Sequence, residues 1–288
     1  MTKPIISHSE VESFVLCERR HFYGHGLKLS PKSMSQALSR AILGHDIMLM
    51  RFFKKFKETE DFELSLQEVD KALLEALINP DNDPRTVNEI ARITKGWLRH
   101  FEDRIKFWEI VSVEETKKLD MGEFVFAYTT DLVILERGYR TVIDFKFVYD
   151  FYSGDLLTLL PQIPRYIGAE RAEGLPTRFG KYGFVRTRNL KSPGPNDLYR
   201  LEPLTQLTTA QIQQSFKEVF LALSRITELK DMGLEEWEDN ITANRSVWVC
   251  KTCPFKRLCA ADFAGTDTTL MKMTEFEPST YGYKVTDE

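Results

Sequence analysis

Apolar positions along the chain repeat every three to four residues, then every two, then every three to four again. From about Ser35 to Phe56, Leu38, Ala41, Leu49, Phe52 and Phe56 share one helical face. Ser65-x-x-Glu68 and Thr86-x-x-Glu89 read as capping boxes, each opening a helix. The first carries the stripe Val69, Leu73, Leu77 and the second Ile90, Ile93, Trp97, with Asn79-Pro-Asp-Asn-Asp-Pro84 as the break between them. Period two then predicts strands over Glu109 to Glu114, Glu123 to Leu135 and Arg140 to Val148. A short helix near Gln162, a strand from Tyr182 to Arg186 and a loop over Lys191 to Asn196 follow. A long helix opens at Thr208-x-x-Gln211 and carries Ile212, Phe216, Val219, Phe220 and Leu223. From about Gly265 the sequence is polar and unpatterned, which predicts a mobile tail or a docking segment. There is no internal repeat, and the pattern is that of a mixed α/β chain.

Composition narrows this only modestly. With 288 residues and 42% hydrophobic content the chain can bury a full core, as one elaborated domain or two small ones. The formal charge of −4 does not set the sign of a partner. Lys54, Lys55 and Lys57, and again Lys181, Arg186, Arg188 and Lys191, are local basic patches that suit either phosphate contacts or a solvated face. Lys3 is followed by an acidic, amphipathic stretch rather than an apolar core, and no run is apolar enough to span a membrane, so the expected location is cytoplasmic, without a membrane partner.

In a reducing compartment the four cysteines point to metal rather than disulfides. Cys250, Cys253 and Cys259 form a Cys-x2-Cys-x5-Cys run, while Cys17 stands far upstream. A centre held by all four thiolates would tie the two ends of the chain together, a closure worth on the order of 5 kcal/mol by the chain-entropy estimate used for disulfides. Zinc is the simplest rival, although zinc modules more often pair two Cys-x2-Cys knuckles.

Between these ends a hairpin carries a second chemistry. Arg137-Gly138 suits a two-residue turn, which sets Glu136 opposite Tyr139 and, counting back, Asp131 opposite Asp144. Two facing carboxylates cost stability unless a cation lies between them. Alternation puts Ile143, Phe145 and Phe147 on one face, and Val142, Asp144, Lys146 and Val148 on the other, so Lys146 points with the acids. Carboxylate oxygens suit magnesium or manganese, and a nearby ammonium can orient water and stabilise developing charge. A plain surface ion pair between Asp144 and Lys146 is the alternative, opposed by the apolar character of both strands.

His45 falls on the apolar stripe of the first helix between Ala41 and Leu49. Gln162 and Tyr166 are spaced to share a helix face, with Pro164 between them, a position tolerable only in a first turn. Glu114 lies on a strand leading toward the acids, as a structural residue or a further ligand.

Taken in order, His45, Asp131, Asp144-Phe-Lys146 and Gln162-x3-Tyr166, enclosed by Cys17 and Cys250-x2-Cys253-x5-Cys259, resemble the RecB-type branch of the PD-(D/E)XK nucleases. The match is best to its iron-sulfur members: the CRISPR-associated Cas-four exonucleases, the AddB nuclease domain and related stand-alone exonucleases. That family often has a glycine four residues before the histidine; here Ala41 stands there and the glycine is Gly44. The resemblance implies a restriction-endonuclease-like α/β core, a mixed central sheet flanked by helices, with a helical iron-sulfur region formed by both chain ends. It implies one nuclease domain over 1–264, with a helical insertion at 46–108, a catalytic core at 109–190, an iron-sulfur region at 1–30 plus 240–262, and a polar tail at 265–288.

By the same resemblance His45, Asp131, Asp144 and the Phe145 carbonyl would hold Mg2+ or Mn2+, and Lys146 would be the active-site lysine. Gln162 and Tyr166 would support the site and contact DNA, and the four cysteines would hold a [4Fe-4S] cluster. The implied activity is a metal-dependent DNA exonuclease on single-stranded ends, 5′ to 3′ favoured. The alternatives are a processing nuclease or endonuclease subunit of a recombination, repair or CRISPR-adaptation assembly, or a non-catalytic iron-sulfur DNA-binding protein, the last opposed by the intact Asp131, Asp144 and Lys146 set. Arg19, Arg20, Phe22 and Tyr23, just after Cys17, either present aromatic and cationic groups to a strand or pack around the cysteines.

Overall fold

Eight strands follow one another in the computed structural model: β1 (Ile5–Ser7), β2 (Leu29–Pro31), β3 (Glu109–Asp120), β4 (Val125–Glu136), β5 (Tyr139–Val148), β6 (Phe179–Arg186), β7 (Tyr199–Leu204) and β8 (Phe276–Pro278). The structure describes residues 3–33, 35–152, 154–188, 190–204 and 207–279. The chain divides into two units. One comprises Ser35–Leu119 and Tyr128–Phe216, the other Met1–Met34, Asp120–Ala127 and Lys217–Glu288.

The first of these holds a mixed sheet. β4 and β5 are antiparallel, with Leu132 opposite Ile143 through to Glu136 opposite Tyr139. Arg137 and Gly138 join them with φ of 52° and 78°. Positive φ at both central residues marks a type I′ turn, whose twist matches that of the strands it joins. β6 runs parallel to β5, Thr141 opposite Phe179 through Val148 opposite Arg186, and β7 is antiparallel to β6. A parallel pair needs a crossover, which helix Gln162–Ala172 supplies. Pro164 is its third residue, inside the first turn, where the missing N–H costs nothing.

The alternation along β5 separates a core face from a chemical face. Ile143 and Phe145 join Leu132 and Ile134 in the apolar core, with Phe52, Phe53, Ile90 and Trp97 from the helices. The Phe145 ring lies 5.5 Å from Phe53 and 5.2 Å from Trp97. Such aromatic contacts add about 0.5–1.5 kcal/mol each beyond their buried area.

The helix expected from Ser35 to Phe56 runs from Gln36 to Thr59, but its middle, Leu43–Leu49, is π-helical. The two expected capping boxes do not start their helices. Asp61 caps Phe62–Ile78 by accepting from Leu64 N at 2.9 Å, and Asp83 caps Pro84–His100 by accepting from Thr86 N at 3.0 Å. Aspartate caps as well as serine or threonine, and Pro84 is preset for the first helical position. Ser65 is instead buried and donates to the Asp61 carbonyl at 2.6 Å. Thr208 and Gln211 do form a reciprocal box, at 2.9 and 3.2 Å. The loop from Lys191 contains a helical turn at Pro195–Leu198, and β7 follows it directly.

In the other unit β1 runs parallel to the start of β4, Ile5 opposite Val125 through Ser7 opposite Ala127. Ser7 then caps helix His8–Leu16. The polar stretch after Gly265 is a docking segment over its described part. Helix Thr269–Glu275 leads into β8, which pairs antiparallel with β2, and Phe276 stacks on Phe255 at 5.5 Å. Residues 280–288 lie outside the described residues. Phe22 and Tyr23 are both 1% exposed, so of their two readings the packing one holds; Tyr23 donates to Asp262 at 2.6 Å.

Candidate active site and cysteine cavity

Two runs of polar contacts reach β5, one from the π-helical turn and one from helix Gln162–Ala172. His45 Nε2 lies 3.0 Å from Asp131 Oδ2, and that same oxygen accepts the Phe145 N–H at 2.8 Å. The β4–β5 ladder ends at Leu132–Ile143, and one step further the Asp131 carboxylate takes up the neighbouring backbone. Asp144, on the next residue of β5, is fully buried. Its Oδ1 accepts from Lys146 Nζ at 3.2 Å; its Oδ2 lies 2.8 Å from the same ammonium but has no aligned hydrogen bond. Lys146 also donates to Gln162 Oε1 at 2.6 Å, and Gln162 donates to the Tyr166 hydroxyl at 2.9 Å.

Gly44 lies within the π-helical stretch and faces Phe147. A β-carbon on Gly44 would stand 2.1 Å from the Phe147 ring, so only glycine lets β5 approach the helix there and brings His45 up to Asp131. π-turns inside helices are rare and recur at functional positions.

The charges are unevenly held. Burial pushes the Asp144 carboxyl up to about 7 despite Lys146, with Asp131 adding to the rise. For Asp131 burial acts in the same sense, but the hydrogen bond and charge of His45, the Lys146 charge and the Phe145 N–H together hold it below the usual carboxylate value. Burial works to lower the His45 pKa, and its bonds to Asp131 and Asp46 overcome this and raise it to about 10. The His45 imidazole, the Asp131 carboxylate and the buried Asp144 Oδ2, which lacks an aligned donor, offer ligand types that suit a hard divalent cation.

Two residues extend the set. Asp46 pairs with His45 Nδ1, and His45, Asp46 and Glu114 place one ligand atom each within 4.8 Å of one another. Glu114 sits at φ 48° and pairs with Lys54. Nothing in the spacing around Asp46 marks it; its only signal is an acid directly after a helical histidine. The Phe145 side chain belongs to the core, and of its backbone the N–H is engaged by Asp131.

Of the basic positions, Lys54 and Lys55 pair with Glu114 and Glu58, and Lys57 donates to the Val111 carbonyl. Lys181 is buried against Glu136. Lys54, Lys55 and Lys181 are thus in ion pairs, and Lys57 in a hydrogen bond to the backbone.

The four cysteines line one cavity of about 260 Å3, together with Arg19, Arg20, Arg245 and Lys256. None is in a disulfide. The segments that bring them together are stitched by hydrogen bonds. Arg19 N donates to Thr242 O at 3.2 Å, Thr242 N to Glu18 Oε2 at 2.7 Å, and Asn244 N to Cys17 Sγ at 3.4 Å. Burial raises the Cys253 and Cys259 thiols, and the charges of the other cysteines add to it. Four soft donors ringed by four cations suit a thiolate-ligated metal centre, whose excess negative charge the cations offset.

No helix among the described residues is long and apolar enough to cross a membrane. No curated protein matches the chain. Among solved structures it is similar to the crystal structure of SSO0001, at 13% identity and a TM-score of 0.33, covering 87% of this chain and 96% of that one. It is also similar to LHK-Exo in complex with dAMP, at 11% identity and a TM-score of 0.31, covering 67% and 91%. The family model described as the PD-(D/E)XK nuclease superfamily matches residues 5–260, and the chain belongs to that superfamily.

Proposed function

We propose that the protein is a metal-dependent DNA exonuclease that hydrolyses phosphodiester bonds at single-stranded ends, with 5′ to 3′ polarity favoured. The observation that carries the reading is the run of contacts from His45 through Asp131 and Phe145 N, and from Asp144 through Lys146 to Gln162 and Tyr166. His45, Asp131, Asp144 and the Phe145 carbonyl would hold Mg2+ or Mn2+. A bound divalent cation supplies charge neutralisation at the phosphate and a water of lowered pKa.

The remaining work falls to the chain itself. Asp144 and Gln162 hold the Lys146 ammonium from two sides, so it meets the reacting phosphate already oriented and gives a fixed positive charge where negative charge develops. Tyr166 accepts from Gln162 and keeps that amide turned with its oxygen toward Lys146. The His45 proton must leave before its nitrogen can serve as a ligand, so metal binding is coupled to proton release.

Cys17, Cys250, Cys253 and Cys259 would hold a [4Fe-4S] cluster. Protein purified without oxygen is then brown, with about four irons per chain; colourless protein carrying stoichiometric zinc excludes the cluster and leaves the nuclease reading standing. The nuclease reading is tested on end-labelled linear and covalently closed circular single strands with Mg2+, Mn2+ or EDTA. Progressive loss of the linear strand alone supports an exonuclease, and equal cutting of the circle overturns the need for an end.

A further inference from the structure

β5 does not end at its chemistry. Three residues beyond Lys146 the chain passes through Tyr149, Asp150, Phe151 and Tyr152 before the helix that carries Gln162. Tyr149 is 69% and Tyr152 38% exposed, unusual for aromatic side chains beside a catalytic strand. Three guanidiniums gather on these rings: Arg186 and Arg200 lie 4.1 and 4.3 Å from the Phe151 centroid, and Arg188 lies 5.6 Å from that of Tyr149. The parallel register sets Val148 opposite Arg186, so the cations come from β6, the loop after it and β7 on its far side.

The acidic partners are Asp150, 2.7 Å from Arg186 and 3.0 Å from Arg188, and Glu202, 3.6 Å from Arg200. The patch therefore keeps one more positive charge than negative in a chain whose formal charge is −4. The Arg188 and Arg200 side chains remain 45% exposed.

We infer that Tyr149, Phe151, Arg186, Arg188 and Arg200 form a platform for single-stranded nucleic acid, on which a base stacks against Tyr149 while the guanidiniums take phosphates. This rests on the nuclease reading for its purpose, since the platform would hold the strand beside the scissile bond. An extended chain rises about 3.3 Å per residue, so Tyr149 lies within ~10 Å of Lys146 along the backbone. That is about the span of three phosphates on a stacked strand, at ~3.4 Å each. Exposed rings with arginines are the combination that binds strands without reading sequence, because every base has a stacking face. The guanidinium fork matches phosphate oxygens, and its stacking on a ring presets the geometry.

The test is binding, read separately from cleavage. A fluorescein-labelled oligothymidylate of about 20 nucleotides, longer than the ~4–16 nucleotide sites such surfaces occupy, is titrated by anisotropy in EDTA at several salt concentrations. Tyr149→Ala is expected to weaken binding about 5- to 150-fold with the salt slope unchanged, and Tyr149→Phe to retain it. Arg188→Gln is expected to lower the slope of log affinity against log salt by about 0.7, the value of one single-strand phosphate contact, and Arg188→Lys to restore it. Affinity within twofold of wild type for Tyr149→Ala, or an unchanged slope for Arg188→Gln, overturns the platform. So does equal weakening by Tyr149→Phe and Tyr149→Ala, the mark of a purely structural loss. Wild-type protein that binds the strand through these residues yet cuts nothing with Mg2+ or Mn2+ would sink the nuclease reading and leave the platform standing.

Discussion

Glu10 and Asp144 are both buried carboxylates with a lysine at their side, and their acidities move in opposite directions. Burial raises both. Around Glu10, His21 lies 3.2 Å and Lys230 2.6 Å away, with no second acid, and the carboxyl falls to about 2. Asp144 has Lys146, but Asp131 shares its surroundings, and the carboxyl stays at about 7. Glu10, His21 and His25 also place possible ligand atoms within 4.8 Å of one another. By spacing they rank beside His45, Asp46 and Glu114. Glu10 and Asp144 differ in their neighbours: Glu10 is held by His21 and Lys230, whereas Asp144 shares its surroundings with a second carboxylate, Asp131, whose charge adds to the effect of burial.

Removing each acid breaks or sharpens this contrast. Asp131→Asn or Asp144→Asn is expected to lower DNA cleavage by about 10^3-fold or more, the several kcal/mol that metal charge stabilisation supplies. Glu10→Gln should leave cleavage measurable at the wild-type order of magnitude while lowering the melting temperature. Wild-type cleavage by Asp144→Asn would erase the distinction. Lys146→Ala should retain strand affinity and lose about 10^2- to 10^4-fold in rate, checked by anisotropy and gel assay on one preparation.

Stability should respond to pH with opposite signs. The Asp144 pKa is raised in the folded state, so the protein gains most from it below about pH 4 and loses that gain as pH rises through about 7. In metal-free buffer at pH 8, Asp144→Asn should therefore melt higher than wild type, by about 2–4 °C per kcal/mol relieved, with the advantage fading toward pH 4. The Glu10 pKa is depressed, so its contribution is present above about 4.5 and lost as pH falls through about 2. Glu10→Gln should then be at its worst near neutrality. Thermal scans across pH in EDTA check both, and parallel profiles for the two variants would contradict the comparison. The smallest effect is expected in metal affinity: isothermal titration with Mn2+ should show binding strengthening from pH 6 to 8 with proton release, as His45 and Asp144 give up protons.

The hairpin was legible because two signals agree there. Strict alternation along β5 assigns faces, and Arg137-Gly138 sets the register as far as Leu132 opposite Ile143, one step short of the expected Asp131–Asp144 pair. Gln162 and Tyr166 follow from helical spacing once Pro164 is granted the first turn. The helix starts were misplaced because Ser65 and Thr86 compete with aspartates a few residues upstream, and composition does not say which oxygen turns toward the backbone. The π-helical turn holding His45 has no sequence signature, and the ring packed against Gly44 there, Phe147, is distant in sequence. Phe22 and Tyr23 were ambiguous because aromatic residues serve equally as core and as stacking surface, and only burial decides. β2 and β8, three residues each, are too short for periodicity to reveal.

The cysteine cavity also imposes an order on biosynthesis. Cys17 emerges from the ribosome early, while its partners Cys250, Cys253 and Cys259 follow only after the whole Ser35–Phe216 region has been made. At about 5–20 residues per second, the first thiol waits on the order of 10–50 s for the last. During that interval it is a lone nucleophile, open to oxidation or to a stray metal ion. The cavity can close only on a chain translated past Cys259, so a metal centre there would act as a proofreading mark, separating chains finished that far from those released early.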